Sequence, residues 1–464
     1  MNHKLAIVGA GWAGMAAAVA AAEMGATVTV FEATHRLGGR ARSIDSTGSD
    51  GVTLTLDNGQ HILIGAYSET LKLMQRVGID PEESLLRLPL AMPYPDGSGL
   101  QTPSWAANWP APLNAVAAIA SARGWHWSDK LALMRASLGW QRAKFQCPPH
   151  LTVAELCAQL PTRVMSELIE PLCVSALNTP VAVSSAQVFL RVMQDALFGQ
   201  GFAGFGASDL LLPRIDLTQL FPEAAAQWLE RHHGERVQVR RGARVQQIGN
   251  AGLRWLLGGQ ANGRSFDDAF DQVIWATAAR PAARAMLAAK DIAAPSMAAL
   301  ERWAATAEAL PFTAITTVYA WSPGARLSAP MFALRASPSA DQSPAQFVFD
   351  RGQLTPDDPG AQGVLAFVVS ASEGDRADLQ QRVLRQATSQ LGLNALRPLQ
   401  TVVEKRATIA CTPGLLRPDM VMAPGLWAAG DYVKGPYPAT LEGAVRSGLA
   451  AAKAAQQAHD NRQS

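Results

Sequence analysis

Three glycines, Gly9, Gly11 and Gly14, stand at G-x-G-x-x-G spacing, and an acid, Glu32, follows Gly11 by twenty-one residues. Residue types in that pattern are suited to holding a dinucleotide. Gly9 permits a tight turn, Gly11 lets backbone approach a pyrophosphate, and Gly14 lets a helix lie close on a strand. Glu32 can accept hydrogen bonds from ribose hydroxyls. Glycines at this spacing mean little alone, but here the elements that must position them are also legible. Leu5-Ala6-Ile7-Val8 reads as a short buried strand. Ala13 to Met24 reads as a small-residue helix stopped by Gly25, and Thr27 to Phe31 as a β-branched strand. The helix N-terminus offers free N–H groups and the positive end of its dipole to phosphates. The same stretch resembles a secretion signal or a membrane span, because Lys4 precedes an apolar run without charge until Glu23. Its internal glycines and strand–helix–strand order argue against both.

Further along, Arg36, Gly38, Gly39 and Arg40 form a loop that can press on a cofactor and supply countercharge. Standing alone they also read as a solvated surface turn. Near the other end, Leu426 to Ala429 reads as a short strand leading into Gly430 and Asp431. After a Gly/Pro-rich loop, Thr440, Leu441 and Glu442 open a small-residue helix to about Ala458. The chain of 464 residues is long enough for two domains, and 48% hydrophobic residues can build large cores. Only the polar tail after Ala458 reads as disordered. A net charge of +2 gives no reason to expect a nucleic-acid partner. Cys147, Cys157, Cys173 and Cys411 show no C-x-x-C spacing and read as reduced thiols of a cytoplasmic protein. No H-E-x-x-H occurs, and His232 and His233 would point to different sides of a helix, so no metal is expected.

E-x-x-x-R-x-G-G-R from Glu32 to Arg40, A-G-D ending at Asp431 and T-L-E-G-A-V-x-S-G from Thr440 to Gly448 together resemble the FAD-dependent amine oxidase and phytoene desaturase superfamily. The resemblance implies an α/β fold. A Rossmann-type FAD-binding domain of the glutathione-reductase type would interleave with an α+β substrate domain. It implies Asp431 on the ribityl chain, with Gly430 beside it, and Thr440, Leu441 and Glu442 at a helix end facing the flavin pyrimidine ring. It also implies the backbone of Val245, in a strand Arg244 to Ile248, at the adenine. Some amine oxidases attach flavin through a cysteine shortly before the final helix. Val433 to Ala439 contains none and Cys411 lies too early, so FAD is expected to be non-covalent.

Asp57-Asn58-Gly59-Gln60-His61 through Gly65-Ala66-Tyr67, with Asp209 to Arg214 and Gly430 to Ala444, resembles the hydroxysqualene dehydroxylases more closely. Asn58 and Gly59 then join the cofactor-binding residues. The resemblance implies reduction of an allylic C–OH of hydroxysqualene to C–H, giving squalene for squalene and hopanoid synthesis. Such chemistry needs an acid for the leaving oxygen and a hydride from reduced flavin. His61 and Tyr67 are the candidates on the segment that should run past the flavin. His61 reads equally as a satisfied histidine touching backbone, cofactor or substrate. Asp195 and Asp209 read as caps or structural partners.

The FAD-binding domain is expected from residues 1–85, 206–285 and 405–464, and the substrate domain from 86–205 and 286–404. Residues 86–205 read as mostly helical, and 312–320, 345–350 and 363–371 as strands of a sheet floor. Phe198 to Phe205, rich in glycine, reads as a loop or a flexible tunnel wall. Pro338 to Pro344 reads as a loop. Trp105, Trp109, Trp125, Trp127 and Trp140, with Lys130, Arg135, Arg142 and Lys144 among them, read either as helical core with a basic face or as a peripheral membrane contact on the cytoplasmic side. The expected substrate is an apolar isoprenoid. The electron donor is open: with no second nucleotide fingerprint, NAD(P)H, a protein or a quinone would serve. A carotenoid-type desaturase, an amine oxidase and a non-catalytic flavoprotein scaffold are the competing readings.

Overall fold

A computed structural model describes residues 3–47, 53–107, 109, 112–252, 254–336 and 343–463. It begins with strand β1 (Lys4–Val8), helix α1 (Trp12–Glu23) and strand β2 (Thr27–Glu32). Every residue of β1 after Lys4 is buried, as befits a strand covered on both faces. α1 is almost entirely small residues and buries ten of its twelve, so neighbours approach it from all sides. A Cβ on Gly14 would stand 1.9 Å from the Gly9 carbonyl oxygen. One on Gly448 would stand 2.1 Å from the carbonyl oxygen of Ala13. Neither position admits a larger residue.

A hairpin, Ser43–Thr47 with Thr53–Asp57, leads into the segment 57–67 and helix α2 (Ser68–Arg76). Helices α3 (Leu113–Ser121), α4 (Trp127–Arg142), α5 (Glu170–Leu177) and α6 (Ala186–Phe198) make the helical insert. Gly199 ends α6, and an irregular loop follows. The chain then returns through β3 (Val237–Arg241) and, after a three-stranded antiparallel sheet, β4 (Gln272–Trp275). Strands β5 (Phe312–Trp321), β6 (Val364–Ser370) and β7 (Arg397–Ile409) belong to a second large sheet. β8 (Leu426–Ala428) and helix α7 (Leu441–Gln463) close the chain.

Two sheets organise this path. The first has the order β3-β2-β1-β4-β8, all parallel, with Val421–Ala423 added antiparallel at its edge. That is a doubly wound dinucleotide-binding sheet, and it draws strands from distant parts of the sequence. The second is antiparallel, with β5 between β6 and β7 and with Phe347–Asp350 and Met331–Ala333 beyond β6.

Several expectations need correction. The boundaries at 85 and 405 both fall inside strands. Leu85–Leu88 pairs with Leu210–Pro213, and β7 runs unbroken from 397 to 409 against β5. Sheet hydrogen bonds carry the chain across those positions. The tail after Ala458 is helical to Gln463 rather than disordered. His459 stacks on His3 at 4.2 Å, and Gln456 donates to Asp460, so polar side chains have local partners there. The expected loop at 338–344 lies mostly outside the described residues.

Candidate functional site

One cavity of about 760 Å³ runs from the turn after β1 into the helical insert. Gly9, Gly11, Glu32, Gly38, Gly39, Arg40, Asn58, Gly59, His61, Tyr67, Gly430, Asp431, Thr440 and Leu441 all line it. The parallel sheet explains the gathering: the turns after β1 and β2 and the segment after β8 open at the carboxyl ends of neighbouring strands.

The residues fit a dinucleotide. A Cβ added to Gly11 would meet protein no closer than 3.8 Å, so the protein itself does not require glycine there. An approaching ligand would. The Glu32 carboxylate is held at one oxygen by the Ala10 N–H and at the other by the N–H and hydroxyl of Thr34. It stands fixed and ready to accept ribose hydroxyls. Arg40 bonds Asp431, and its second nitrogen donates to the Ala407 carbonyl at 2.6 Å. Asn58 donates to the Arg40 carbonyl at 3.0 Å. Tyr432 lines the same cavity, is buried, and has no partner for its hydroxyl among the described residues.

The segment from Asp57 to Tyr67 straps the cavity. Its first residue is an anchor: one Asp57 oxygen accepts the Leu217 N–H, its carbonyl accepts the Tyr319 hydroxyl, and Arg351 lies 3.7 Å from the other oxygen. Burial pushes this carboxyl up to about 6, against the pull of Arg351. His61 Nδ1 lies 2.7 Å from the Gly59 carbonyl oxygen, so that nitrogen carries the proton and donates it. Burial, and then Arg40, holds the ring below its ordinary pKa despite that bond. His61 is therefore neutral at neutral pH, with a lone pair on Nε2. Burial raises the Tyr67 phenol well above its ordinary pKa, and Glu442 adds to the rise.

Beyond the strap the lining turns apolar. α3 contributes Ala115 and Ile119, α4 Leu133 and Trp140, and α6 Val188 and Val192; Ile315, Phe347 and Phe349 form the floor. Where this tunnel meets the cradle sits a polar cluster. Asp195 and Tyr437 line the cavity. Arg191 donates to Asp195 at 2.7 Å and to the Tyr437 hydroxyl at 2.8 Å. The guanidinium groups of Arg191 and Arg446 lie 4.9 and 5.0 Å from the Tyr437 ring centroid.

Other expected residues lie elsewhere. Gly14 packs α1 on its strand. Arg36 bonds the Ser43 carbonyl and Asp45, outside the cavity. Val245 sits at a bulge in the three-stranded sheet, opposite Gly259. The Glu442 carboxylate turns away, accepting the N–H groups of Glu69 and Thr70 at the start of α2 and a bond from Arg446. Asp209 accepts the Gly206 N–H and pairs with Arg87, as a structural partner. The sequence reading missed Tyr432, Tyr437, Arg191 and Arg351. Tyr437 stands between Pro436 and Pro438 in a segment already singled out, but nothing in the sequence ties it to Arg191.

The tryptophan-rich stretch divides. Trp125 donates to Glu167 and Trp140 packs edge-on against Phe189, both buried. Trp105 and Trp127 are 64% and 67% exposed, with Trp109, Leu113, Val116, Leu131 and Leu138 exposed beside them. Lys130 is not among the outward cations: it is buried and donates to the Ala120 carbonyl at 2.7 Å. Among the described residues no helix is long and apolar enough to cross a membrane.

Comparison with known proteins agrees with this geometry. The chain is 27% identical to the hydroxysqualene dehydroxylases of Sinorhizobium fredii and Rhodopseudomonas palustris, over 97% of its own length and 98% of each of theirs. Its fold matches the solved structure of cyclohexylamine oxidase from Brevibacterium oxydans with a TM-score of 0.63 at 16% identity, covering 99% of this chain and 100% of that one. The family model described as flavin containing amine oxidoreductase matches residues 12–456. FAD is thus the cofactor, the protein is an FAD-dependent oxidoreductase, and the chain belongs to the flavin containing amine oxidoreductase family.

Proposed function

We propose that this flavoenzyme reduces the allylic carbinol of hydroxysqualene to squalene. The observation that carries the reading is the junction of an FAD cradle with a long apolar tunnel in one cavity. The likeness to hydroxysqualene dehydroxylases over nearly the whole chain supports it. Gly9 and Gly11 with the start of α1 would hold the diphosphate, Glu32 the adenosine ribose, and Asp431 the ribityl chain. Arg40 keeps Asp431 oriented. Thr440 and Leu441 would face the ring system at the N-terminal end of α7, where the helix dipole favours negative charge. No cysteine lines the cavity among the described residues, which supports non-covalent attachment.

Reduced FAD supplies a hydride when bound. The protein's own residues hold the polyene, exclude water and manage the proton. The apolar walls keep an allylic cation from being captured by solvent. The carboxylates that line the cavity already have partners: Glu32, Asp195, Glu404 and Asp431 bond to Ala10, Arg191, Asn58 and Arg40 respectively. The substrate's low solubility in water and the exposed Trp105, Trp109 and Trp127 support a further proposal, that the α3–α4 face rests on a membrane surface.

The test is a single turnover under anaerobic conditions. Chemically reduced holoenzyme is mixed with hydroxysqualene, flavin absorbance is followed, and the lipid is extracted. Reoxidation with stoichiometric squalene is the expected outcome. A flavin that stays reduced overturns the reading, and bleaching of oxidised enzyme by squalene or a carotenoid precursor would replace it with desaturation.

A further inference from the structure

The dehydroxylase reading, on which this inference rests, leaves one role unfilled: C–O cleavage needs a proton at the departing oxygen. The cavity offers few groups that carry one at neutral pH. His61 has spent its single proton on Gly59 and shows the cavity a lone pair. Asp195 and Asp431 are each paired with an arginine. Three phenols line the cavity; Tyr432 keeps its hydroxyl buried away from the open space, which leaves Tyr67 and Tyr437, and their surroundings differ. Among the described residues no cation bonds or stacks on Tyr67, and the Glu442 carboxylate opposes its ionisation. Tyr437 accepts a hydrogen bond from the Arg191 guanidinium and has two guanidinium groups over its ring.

Tyr437 is also well placed. It sits four residues before α7 begins. Its carbonyl accepts the Thr440 hydroxyl at 3.0 Å, and a Cβ on Gly443 would come within 1.8 Å of that carbonyl oxygen. The phenol is thereby fixed to the helix end that would face the flavin ring. We propose that Tyr437 donates the proton to the leaving hydroxyl and that Arg191 positions it and offsets the charge it acquires.

The step balances. The C–O bond breaks with its electron pair going to oxygen, which takes the Tyr437 proton and departs as water. The carbinol carbon would take its new C–H bond, and the two electrons that reduce it, from the hydride that reduced FAD supplies when bound. The phenolate left at Tyr437 is held by Arg191, with Arg446 over its ring. It recovers a proton from water at the neighbouring turn, where Lys434, Gly435 and Pro436 are exposed. Burial and Asp195, through its charge and a hydrogen bond with the phenol, raise the phenol's pKa, which keeps it protonated between turnovers. In the proposed step the hydroxyl turns its proton from Asp195 to the leaving oxygen of the bound carbinol.

Two readouts test this on purified holoenzyme. In single-turnover reoxidation by hydroxysqualene, Tyr437→Phe should slow the reaction by about a hundredfold, and Tyr67→Phe by less than about threefold on the same argument. In equilibrium binding to oxidised enzyme, read by the flavin absorbance shift, Tyr437→Phe should lower the preference for hydroxysqualene over squalene by about fivefold, the worth of one hydrogen bond. Its affinity for squalene and its FAD content should match the wild type. Arg191→Gln should slow turnover by about tenfold while keeping the binding preference, and Arg191→Lys should recover part of that loss. A Tyr437→Phe rate near that of the wild type overturns the proposal, as does a hundredfold loss in Tyr67→Phe instead. A rate loss that comes with lost FAD or weaker squalene binding also overturns it, since the role would then be structural. Wild-type enzyme that ignores hydroxysqualene would overturn the dehydroxylase reading itself, an outcome separate from these.

Discussion

The two ends of the cavity recognise in different ways. At the cradle, nearly every polar group is bonded to another part of the protein before a ligand arrives: Glu32 to Ala10 and Thr34, Arg40 to Asp431 and Ala407, Asn58 to Arg40. In the tunnel the walls are mostly Leu, Ile, Val, Met, Phe and Trp with a few neutral polar groups such as Ser137 and Ser175, and the Arg191–Asp195 ion pair stands beside Tyr437. The cradle reads a ligand by fixed dipoles and charges, the tunnel by shape and dryness. Damage to the first should therefore appear in cofactor content and stability, and damage to the second in turnover alone.

The largest effect expected is at Gly14. In Gly14→Val a side chain would start 1.9 Å from the Gly9 carbonyl oxygen, so α1 must move off the sheet. The variant should purify without FAD or fail to accumulate as soluble protein, checked by the ratio of flavin to protein absorbance. Arg40→Met should come next. It strands the buried Asp431 carboxylate, and removing one partner of such a pair costs about 3 kcal/mol. Denaturant unfolding should show that loss, and Arg40→Met/Asp431→Leu should regain much of it.

Asp57 belongs to the strap between the two ends and gives a pH-dependent prediction. Its folded pKa is about 6, above its ordinary 3.8, so the folded state binds the proton more tightly than the unfolded one. This residue's contribution is thus most favourable in acid. It weakens as pH rises from about 4 to 6 and is level above that, a span on the order of 3 kcal/mol. The stability difference between wild type and Asp57→Asn should shift against the wild type over that range. A flat difference would break the assignment. His61→Gln should slow turnover by less than about tenfold, because a neutral ring whose proton is already committed is a contact rather than an acid. The smallest effect on the fold belongs to Trp105→Ser/Trp127→Ser, within about 0.5 kcal/mol in stability, yet this pair should lose binding to lipid vesicles in a sedimentation assay.

The cradle was largely legible in the sequence because backbone geometry writes itself into residue type. Only glycine fits at Gly14, and only an acid at Glu32 can face a ribose from the end of β2. The tunnel was not legible in the same way. Many apolar side chains would fill its walls equally well, so no residue marks itself. The polar cluster joins Arg191 and Tyr437, 246 positions apart, through a contact that no local spacing encodes. Glu442 shows a different limit. Its place in a recognisable motif suggests a cofactor contact, while its carboxylate in fact caps α2. Motif membership locates a residue in the fold, and the direction of its side chain depends on what packs around it.

The wall made by α3 and α4 is a single helix thick. Ile119 and Leu133 face the cavity, while Val116 and Leu131 on the same helices face outward. With that outer face seated in lipid, a hydrocarbon would pass from acyl chains into the tunnel without an aqueous stage. The enzyme's saturation would then follow the mole fraction of substrate within the bilayer, and diluting the membrane with inert phospholipid would slow it at constant total substrate. Its kinetics would be those of a two-dimensional solution.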